Sequence, residues 1–368
     1  MKPILLLLFG FSLTASTLAP SVTAQNAAQT APKTGYETLV AAGKLILPGE
    51  NGLPWTRETL TPEENLRRQR LAVARNAPAL KMLREALKMP VEMPIPFQAD
   101  EANLKSFNSL REMARQLRQE SEVRLADGDI AGALDSRLTG IELGAAITRG
   151  APSNGVLMGI AIESIARQNF EVVAAKLDAP QIRAVLIRLK QSDARRATPA
   201  QTWQVEAATM VPLITAQFQS LFDPKVRKFL ATPAGRAEAE LTEAQAQDML
   251  ALTPEKLAAQ VSQVFDGFIA RDGLPYQQAV KTKLPTPPSQ YVASFIPSWD
   301  SAANSSFSYA RNLSAQRLFE AALELRHQTR NRRLSAHFSS AETDQFWSTI
   351  DKQEERDWTL LRAWAAVR

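Results

Sequence analysis

Apolar side chains recur at every third or fourth position along most of this chain, which is the spacing of amphipathic helices. In residues 130–149 one helical face carries apolar or small side chains, namely Ile130, Leu134, Leu138, Ile141, Ala145 and Thr148. A break follows at 150–152, and a second such face resumes up to residue 177, with Met158, Ile162, Ile165, Val172 and Val173. Because the link is short, the two segments are predicted to form an antiparallel helical hairpin.

Glycines inside both halves of this hairpin need a physical reason, since a mid-helix glycine costs roughly 1 kcal/mol relative to alanine. Gly140 and Gly144 lie four residues apart in the first half, and Gly155 and Gly159 do so in the second. A missing Cβ lets two helix backbones approach closely, and this spacing places each pair on one side. These glycines, with Gly132 before them, are therefore predicted to line the seam between the two helices.

Capping residues predict helices in the rest of the chain. A helix from Thr61, with Glu64 closing a capping box, is expected to pause near Arg75 and restart at Pro78. Pro212 is expected to kink a later helix. No alternating β-branched run indicates a strand. The prediction is an all-α fold, an irregular array of antiparallel helical hairpins with no regular solenoid repeat. Further starts are predicted at Asp129, Asp178, Thr198, Asp223, Thr232, Thr242 and Thr253.

Proline-rich stretches indicate how the chain is divided. The predicted parts are a signal peptide over 1–24, a leader with short helices over 25–99, a central helical domain over 100–280, and a last part over 281–368. That last part is expected to hold a Pro-rich connection and C-terminal helices packed on the central domain. Its long helix is expected over about 298–337, with a final helix after it.

The first residues have the form of a secretory signal. Lys2 precedes an apolar core over 4–13, and Val22-Thr23-Ala24 resembles a cleavage site. We expect an exported protein, periplasmic or secreted after cleavage near Ala24, with an uncleaved membrane anchor as the alternative. Charges interrupt the central hairpin, so no transmembrane span is expected in the mature chain.

Composition and charge exclude several classes of function. The chain of 368 residues contains no cysteine, which excludes a thiol nucleophile, a cysteine-based zinc site and covalently attached haem. Its 43 Lys and Arg are interspersed with 38 Asp and Glu, without the concentrated basic face of a nucleic-acid binder. Arginine clusters at 67–70, 195–196 and 330–333 are interpreted as solvated helix surfaces. No nucleic-acid partner is expected.

Few residues offer metal or cofactor chemistry. The two histidines, His327 and His337, lie ten residues apart on one predicted helix, about 80° away from a common face. No paired histidine motif for zinc and no glycine-rich phosphate loop is present in the sequence. We therefore assign no catalytic residue, no metal ligand and no cofactor-binding residue, and we expect no cofactor.

The step Ile162-Glu163-Ser164 offers an enzymatic alternative. It resembles the Glu-Ser step of lytic transglycosylases, exported helical enzymes that cleave peptidoglycan with a single glutamic acid. The resemblance ends there, because the Gly-Leu-Met-Gln-like segment of those enzymes is absent and 165–177 is predicted to stay helical. Arg167 at i+4 would give Glu163 an ordinary helix-surface ion pair. Glu163, like Glu142, is therefore interpreted as structural.

Two further resemblances concern the fold. The Asp127-Gly128-Asp129 turn between two helices is similar to the inter-helix turn of tetratricopeptide-type hairpins. Stretches 159–163, 178–190, 281–297 and 311–333 together resemble a loose class of exported, uncharacterised helical proteins of planctomycete-type bacteria. In that class a Gly-Ile-Ala-Ile-Glu-like helix precedes a capped helix, and an Arg-rich helix follows a Pro-rich connection. The resemblance implies an exported all-α protein and assigns no activity and no functional residue.

These patterns lead us to expect a binding or scaffolding protein of the cell envelope with no identifiable catalytic site. Another envelope protein is the expected partner, and cell-wall polymer is the second candidate. The tryptophans, with Tyr291 and Phe295, could line a groove for a sugar or a peptide, although aromatic residues at helical spacing are more often core. The alternative function is a peptidoglycan-acting enzyme that uses a single acidic residue.

Overall fold

The computed structural model of this protein describes residues 34–47, 61–94, 101–274, 276–279 and 281–283. It also describes six helical residues nearer the C-terminus, which are Tyr309, Asn312, Gln316, Glu320, Leu323 and Glu324. Throughout these ranges every regular element is a helix, and no strand occurs in them. The helices pack against one another in an irregular array, which confirms the predicted all-α class.

The helices have the following bounds. In chain order they are α1 (Gly35–Leu45), α2 (Pro62–Leu87), α3 (Glu101–Ala126), α4 (Ile130–Ala146), α5 (Ser153–Arg167), α6 (Phe170–Ala174), α7 (Ala179–Arg195), α8 (Pro199–Gln217), α9 (Pro224–Leu230), α10 (Pro233–Glu238), α11 (Glu243–Ala251), α12 (Pro254–Asp272) and α13 (Tyr276–Ala279). A short 3₁₀ helix, Gln219–Phe222, lies between α8 and α9.

The chain forms two compact units. The smaller unit contains residues 207–267 of the described chain, and the larger one contains the described residues before 207 and after 267. The smaller unit is thus an insertion in sequence, entered along α8 and left along α12. The predicted domain limits near residues 99 and 280 remain predictions.

Helix α4 is enclosed on nearly all sides, with thirteen of its seventeen residues buried. Leu143 and Ala146 belong to an apolar cluster shared with α1, α2, α3 and α5. Leu138 and Ile141 belong to a second cluster shared with α6 and α7. The polar side of the predicted amphipathic helix is only partly open to solvent, since Thr139 is buried, whereas the side chains of Asp135 and Glu142 are 44 % and 19 % exposed.

Glycine forms the seam between α4 and α5, as predicted. A Cβ built on Gly159 would lie 2.5 Å from the carbonyl oxygen of Gly144, and one built on Gly144 would lie 2.7 Å from the carbonyl oxygen of Gly159. A Cβ on Gly140 would lie 2.8 Å from the Cβ of Ala166 on the opposite helix. The absence of these side chains therefore allows the backbones of α4 and α5 to approach this closely.

The prediction is wrong for the other two glycines. A Cβ on Gly155 would meet Ala151 at 2.7 Å, on the link before α5. A Cβ on Gly132 would meet the carboxylate of Asp129. That carboxylate accepts a hydrogen bond from the Gly132 amide at 2.8 Å and caps α4, as predicted for Asp129.

The capping residues predicted where helices begin more accurately than the prolines predicted where helices are interrupted. Thr61 accepts a hydrogen bond from the Glu64 amide at 3.2 Å, but the Glu64 carboxylate pairs with Arg68, so the predicted capping box is half formed. Helix α2 then continues through Pro78 without the expected pause. Pro78 and Ala74 are both exposed, so water can bind the carbonyl that the proline leaves without a partner.

The second half of the hairpin ends earlier than predicted. Helix α5 stops at Arg167, because Asn169 adopts a left-handed conformation with φ 57°, and the short α6 follows. The buried guanidinium of Arg137 holds this end, since its Nη1 donates to the carbonyl oxygens of Ala166 at 3.2 Å and Gln168 at 2.7 Å. The expectation that 165–177 is one continuous helix is therefore wrong.

Several expectations lie outside the described residues. These are the signal peptide over 1–24, the leader over 25–33, most of the Pro-rich connection over 281–297, and the C-terminal residues after 324 with His327 and His337. Among the helices that are described, none combines the length and the apolar composition that a membrane crossing requires.

Candidate functional site

The most enclosed charged group of the hairpin is the carboxylate of Glu163 on α5, whose side chain is 0 % exposed. Its Oε1 accepts a hydrogen bond from Nη1 of Arg196, which follows α7. Its Oε2 accepts from Nη2 of Arg167 at 2.7 Å and from Nδ2 of Asn312 at 2.7 Å. Three donors, two of them cationic, therefore enclose one buried carboxylate.

Two amide side chains complete this arrangement. The Oδ1 of Asn312 accepts from Nη1 of Arg167 at 2.7 Å, so this amide contacts both members of the ion pair. The Oε1 of Gln316 accepts from Nη2 of Arg167 and Nη2 of Arg196, each at 2.9 Å. Hereafter, the Glu163 cluster denotes Glu163, Arg167, Arg196, Asn312 and Gln316.

Burial and charge oppose each other at the arginines of the Glu163 cluster. Burial lowers the pKa of Arg167, an effect that Glu163 opposes and that the neighbouring Arg196 reinforces. Burial also acts to lower the pKa of Arg196, but Glu163 and Asp193 outweigh it and raise that pKa above its ordinary value. The carboxylates therefore keep buried cations charged, because an isolated charge in this environment would be costly.

A second set of ion pairs joins α4 to three other helices, α2, α3 and α7. The Glu120 carboxylate accepts from Arg84 at 2.5 Å, Arg124 at 2.9 Å and Ser136 at 2.8 Å. Arg188 on α7 donates to Asp135 at 2.9 Å and to Glu142 at 2.8 Å, both on α4. Glu142 is thus tied to another helix, in keeping with its structural interpretation.

Besides Glu163 and Glu120, Arg137 on α4 is a buried charged group. Burial lowers its pKa to about 10, which still leaves the group charged at neutral pH. Its Nε donates to the hydroxyl of Ser121 at 3.1 Å, and Glu122 lies 3.7 Å from its Nη2. Arg137 therefore connects α3, α4 and the end of α5.

These contacts change the interpretation of Glu163. The sequence predicted a helix-surface pair with Arg167, and that is wrong, because the carboxylate is fully buried and Arg196 and Asn312 bind it as well. Arg196, interpreted from the sequence as part of a solvated cluster, is also buried. A general acid must lie within hydrogen-bonding reach of its substrate. The geometry of Glu163 therefore favours a structural role over a catalytic one.

Most aromatic residues of the described chain lie in the core, whereas Phe229 is 42 % exposed. Trp203 on α8 stacks on Phe268 of α12 with ring centroids 4.6 Å apart, and its Nε1 donates to Asp272 at 2.7 Å. Tyr291, Phe295 and Trp299 and the tryptophans after residue 324 lie outside the described residues. Within the described ranges no group of three His, Asp or Glu side chains is placed to hold a metal ion.

The outward side of α7 carries a small surface pocket. It has a volume of about 310 Å³ and is lined by Arg183, Leu186, Ile187, Lys190 and Glu324. Ile187 is 51 % exposed, and the two cations lie one helical turn before and after it. The pocket thus offers an apolar centre between two positive charges, with the carboxylate of Glu324 also in its lining.

The stability of the folded protein is expected to depend on pH through the carboxyl group of Glu320. Burial raises the pKa of this carboxyl above its ordinary value, although a hydrogen bond from Gln316 acts to lower it. The folded protein then binds more protons than the unfolded chain between the two pKa values, so its stability falls as pH rises through the folded pKa. Glu320→Gln has no proton to lose, and we expect it to be more stable than the wild type at about pH 8.

Urea unfolding at about pH 4 and pH 8 measures this effect, since the ordinary carboxyl pKa lies near the lower value. The advantage of Glu320→Gln should shrink at the lower pH. Glu324→Gln, one helical turn after Glu320, is the control for the effect of replacing a glutamate by glutamine. A Glu320→Gln protein that is less stable than the wild type at pH 8 would contradict the assignment.

The fold and the Glu163 cluster define an all-α protein whose central hairpin is joined to the end of α7 by a buried ion pair and to C-terminal helical residues by buried hydrogen bonds. Comparisons with protein-family models, with curated proteins and with solved structures find no match. Functional proposals for this chain therefore rest on its own residues.

Proposed function

We propose that this chain is an exported binding or scaffolding protein of the cell envelope, whose partner is another envelope protein. The signal-like residues 1–24 support the compartment. The pocket on α7 is the observation that carries the binding role. An exposed isoleucine flanked by Arg183 and Lys190 suits an apolar side chain of a partner that also carries acidic groups.

The contacts that the buried charged groups make between helices support a non-catalytic role. Glu163, Glu120 and Arg137 are buried charged groups of the helical array, and each joins helices through several hydrogen bonds. Groups committed in this way stabilise packing and orientation. A rigid helical body with an exposed surface fits a protein that presents this surface to a partner.

Site-specific photo-crosslinking in intact cell envelopes tests the proposal. A photoreactive phenylalanine derivative in place of Ile187 should give one discrete crosslinked product after irradiation. The matched control carries the photoreactive phenylalanine derivative in place of Leu71, a side chain on α2 that is 47 % exposed. Charge reversal with Arg183→Glu and Lys190→Glu should abolish the product at position 187. Equal products from both positions, or none at 187, would count against a binding surface on α7.

The enzymatic alternative has a separate test. Purified protein is incubated with peptidoglycan and the soluble muropeptides are measured. We expect no release above that of heat-treated protein. If release occurs, Glu163→Gln alone cannot identify the acid, because the substitution also disrupts a buried ion pair. Its circular dichroism must then match that of the wild type before lost activity is ascribed to catalysis.

A further inference from the structure

The outward face of α7 carries a narrow strip of uncharged side chains. Four exposed positions repeat along the helix at spacings of three, four and three residues, and they are Ala184, Ile187, Gln191 and Ala194. At 3.6 residues per turn these positions lie within about 80° of the helix circumference. The buried Leu189 lies on the opposite side and packs in the core. Hereafter, the α7 strip denotes these four residues.

Positive charges border the α7 strip on both sides. By helical position, Arg183 and Lys190 lie along one edge, and Arg188 and Arg195 lie along the other. Arg188 is already paired, since it donates to two carboxylates of α4. Arg183, Lys190 and Arg195 are exposed, and none of them makes an ion pair or a side-chain hydrogen bond with another described residue. The strip therefore presents cations that are free to meet acidic groups of a partner.

The side chains of the α7 strip favour one kind of occupant over two others. The same strip of a second copy would bring cations against cations, which repel each other. A membrane-surface helix inserts several large apolar side chains, whereas this strip offers Ile187 beside two alanines and a glutamine. Small side chains at a contact allow another helix to approach closely, because the distance between packed helices depends on the residues between them.

We propose that the α7 strip docks one amphipathic helix of the envelope partner, with Asp or Glu residues on both sides of that helix's apolar face. This inference rests on the proposed function and specifies the element by which the partner binds. From Arg183 to Arg195 the strip extends over twelve residues, which is about 18 Å of helix. The docked segment is then three to four turns long, with an apolar side chain against Ile187 and acidic residues opposite the bordering cations.

A photo-crosslinking scan in intact cell envelopes separates this inference from the proposed function. The photoreactive phenylalanine derivative replaces Ala184, Ile187, Gln191 or Ala194, one position at a time. All four variants should capture the same protein, whereas Val172, 49 % exposed on α6, is the control position and should not. No product at any of the four positions would count against the proposed function itself. A product at Ile187 alone would leave that function standing and overturn the docked helix.

Mass spectrometry of the digested products identifies the partner residues that were captured. These residues should fall within one segment of about 14 residues, three or four residues apart, with Asp or Glu beside them. Captured residues two apart, as in a strand, or residues from separate segments would overturn the inference.

A charge reversal outside the pocket tests the acidic border of the partner helix. Arg195 does not line the pocket, so Arg195→Glu leaves the surroundings of Ile187 unchanged. It should lower the yield from the derivative at Ala194 by at least about threefold, because one attraction becomes a repulsion. Arg149→Glu, at an exposed cation outside the strip, is the matched control and should leave the yield unchanged. Equal yields from the two variants would contradict acidic residues at this edge.

Two measurements on the purified full-length chain test the other occupants. Sedimentation should give a monomer, and Ile187→Asp should not alter any binding to vesicles that contain phosphatidylglycerol. Self-association that Ile187→Asp abolishes would assign the α7 strip to a second copy of this chain. Vesicle binding that Ile187→Asp abolishes would assign the strip to a membrane surface, and either result would overturn the docked partner helix.

Discussion

Glu163→Gln is expected to lower the free energy of unfolding by about 3–5 kcal/mol, the usual cost of removing one partner from a buried ion pair. The substitution keeps the shape of the side chain but removes the negative charge that faces Arg167 and Arg196. Two desolvated guanidinium groups would then rely on Asp193, which contacts Arg196 alone at 3.2 Å. Urea unfolding followed by circular dichroism measures the loss.

A double-substitution cycle separates the ion pair from general disruption of the core. Arg196→Met should be costly alone, but the pair Glu163→Gln with Arg196→Met should cost less than the sum of the two single changes. Glu171→Gln, an exposed glutamate on α6, is the control and should change stability by less than about 0.5 kcal/mol. If Glu163→Gln behaved like this control, the Glu163 cluster would contribute little to stability.

Local sequence signals were sufficient for the helix starts and for most of the seam. Asp129 and Asp178 cap where predicted, because a cap depends on residues within one turn of the helix start. The glycines of the seam were found for a similar reason. Their spacing lies within one helix, and the link that folds the hairpin back follows closely.

The Glu163 cluster could not be predicted in this way. Helical spacing correctly paired Glu163 with Arg167, but burial of the pair depends on Asn312 and Gln316, which lie 145–149 residues further along. Nothing within one helical turn of Glu163 signals them. The end of α5 has the same kind of cause, because the distant Arg137 binds its last carbonyl groups. Contacts of this kind arise from tertiary packing, which overrides local helical preference.

Gly159→Ala is expected to destabilise the protein by about 1–3 kcal/mol, although the same change in an open helix stabilises it by about 1 kcal/mol. The sign of the effect is therefore the test. The added methyl group would lie 2.5 Å from the carbonyl oxygen of Gly144 and 2.6 Å from Cγ2 of Thr148. A backbone oxygen cannot rotate away as a side chain can, so α4 and α5 must separate, and their shared apolar contacts weaken with them.

The matched control is Gly273→Ala at the end of α12. Its added Cβ would meet nothing closer than 3.3 Å, so this variant should be neutral or more stable by up to about 1 kcal/mol. Thermal and urea unfolding of the two variants under the same conditions gives the comparison. Gly144→Ala, which meets the same seam from the opposite helix, should follow Gly159→Ala in sign. A Gly159→Ala protein as stable as Gly273→Ala would mean that the two helices tolerate a wider separation, and close backbone approach would then not explain the glycines of the hairpin.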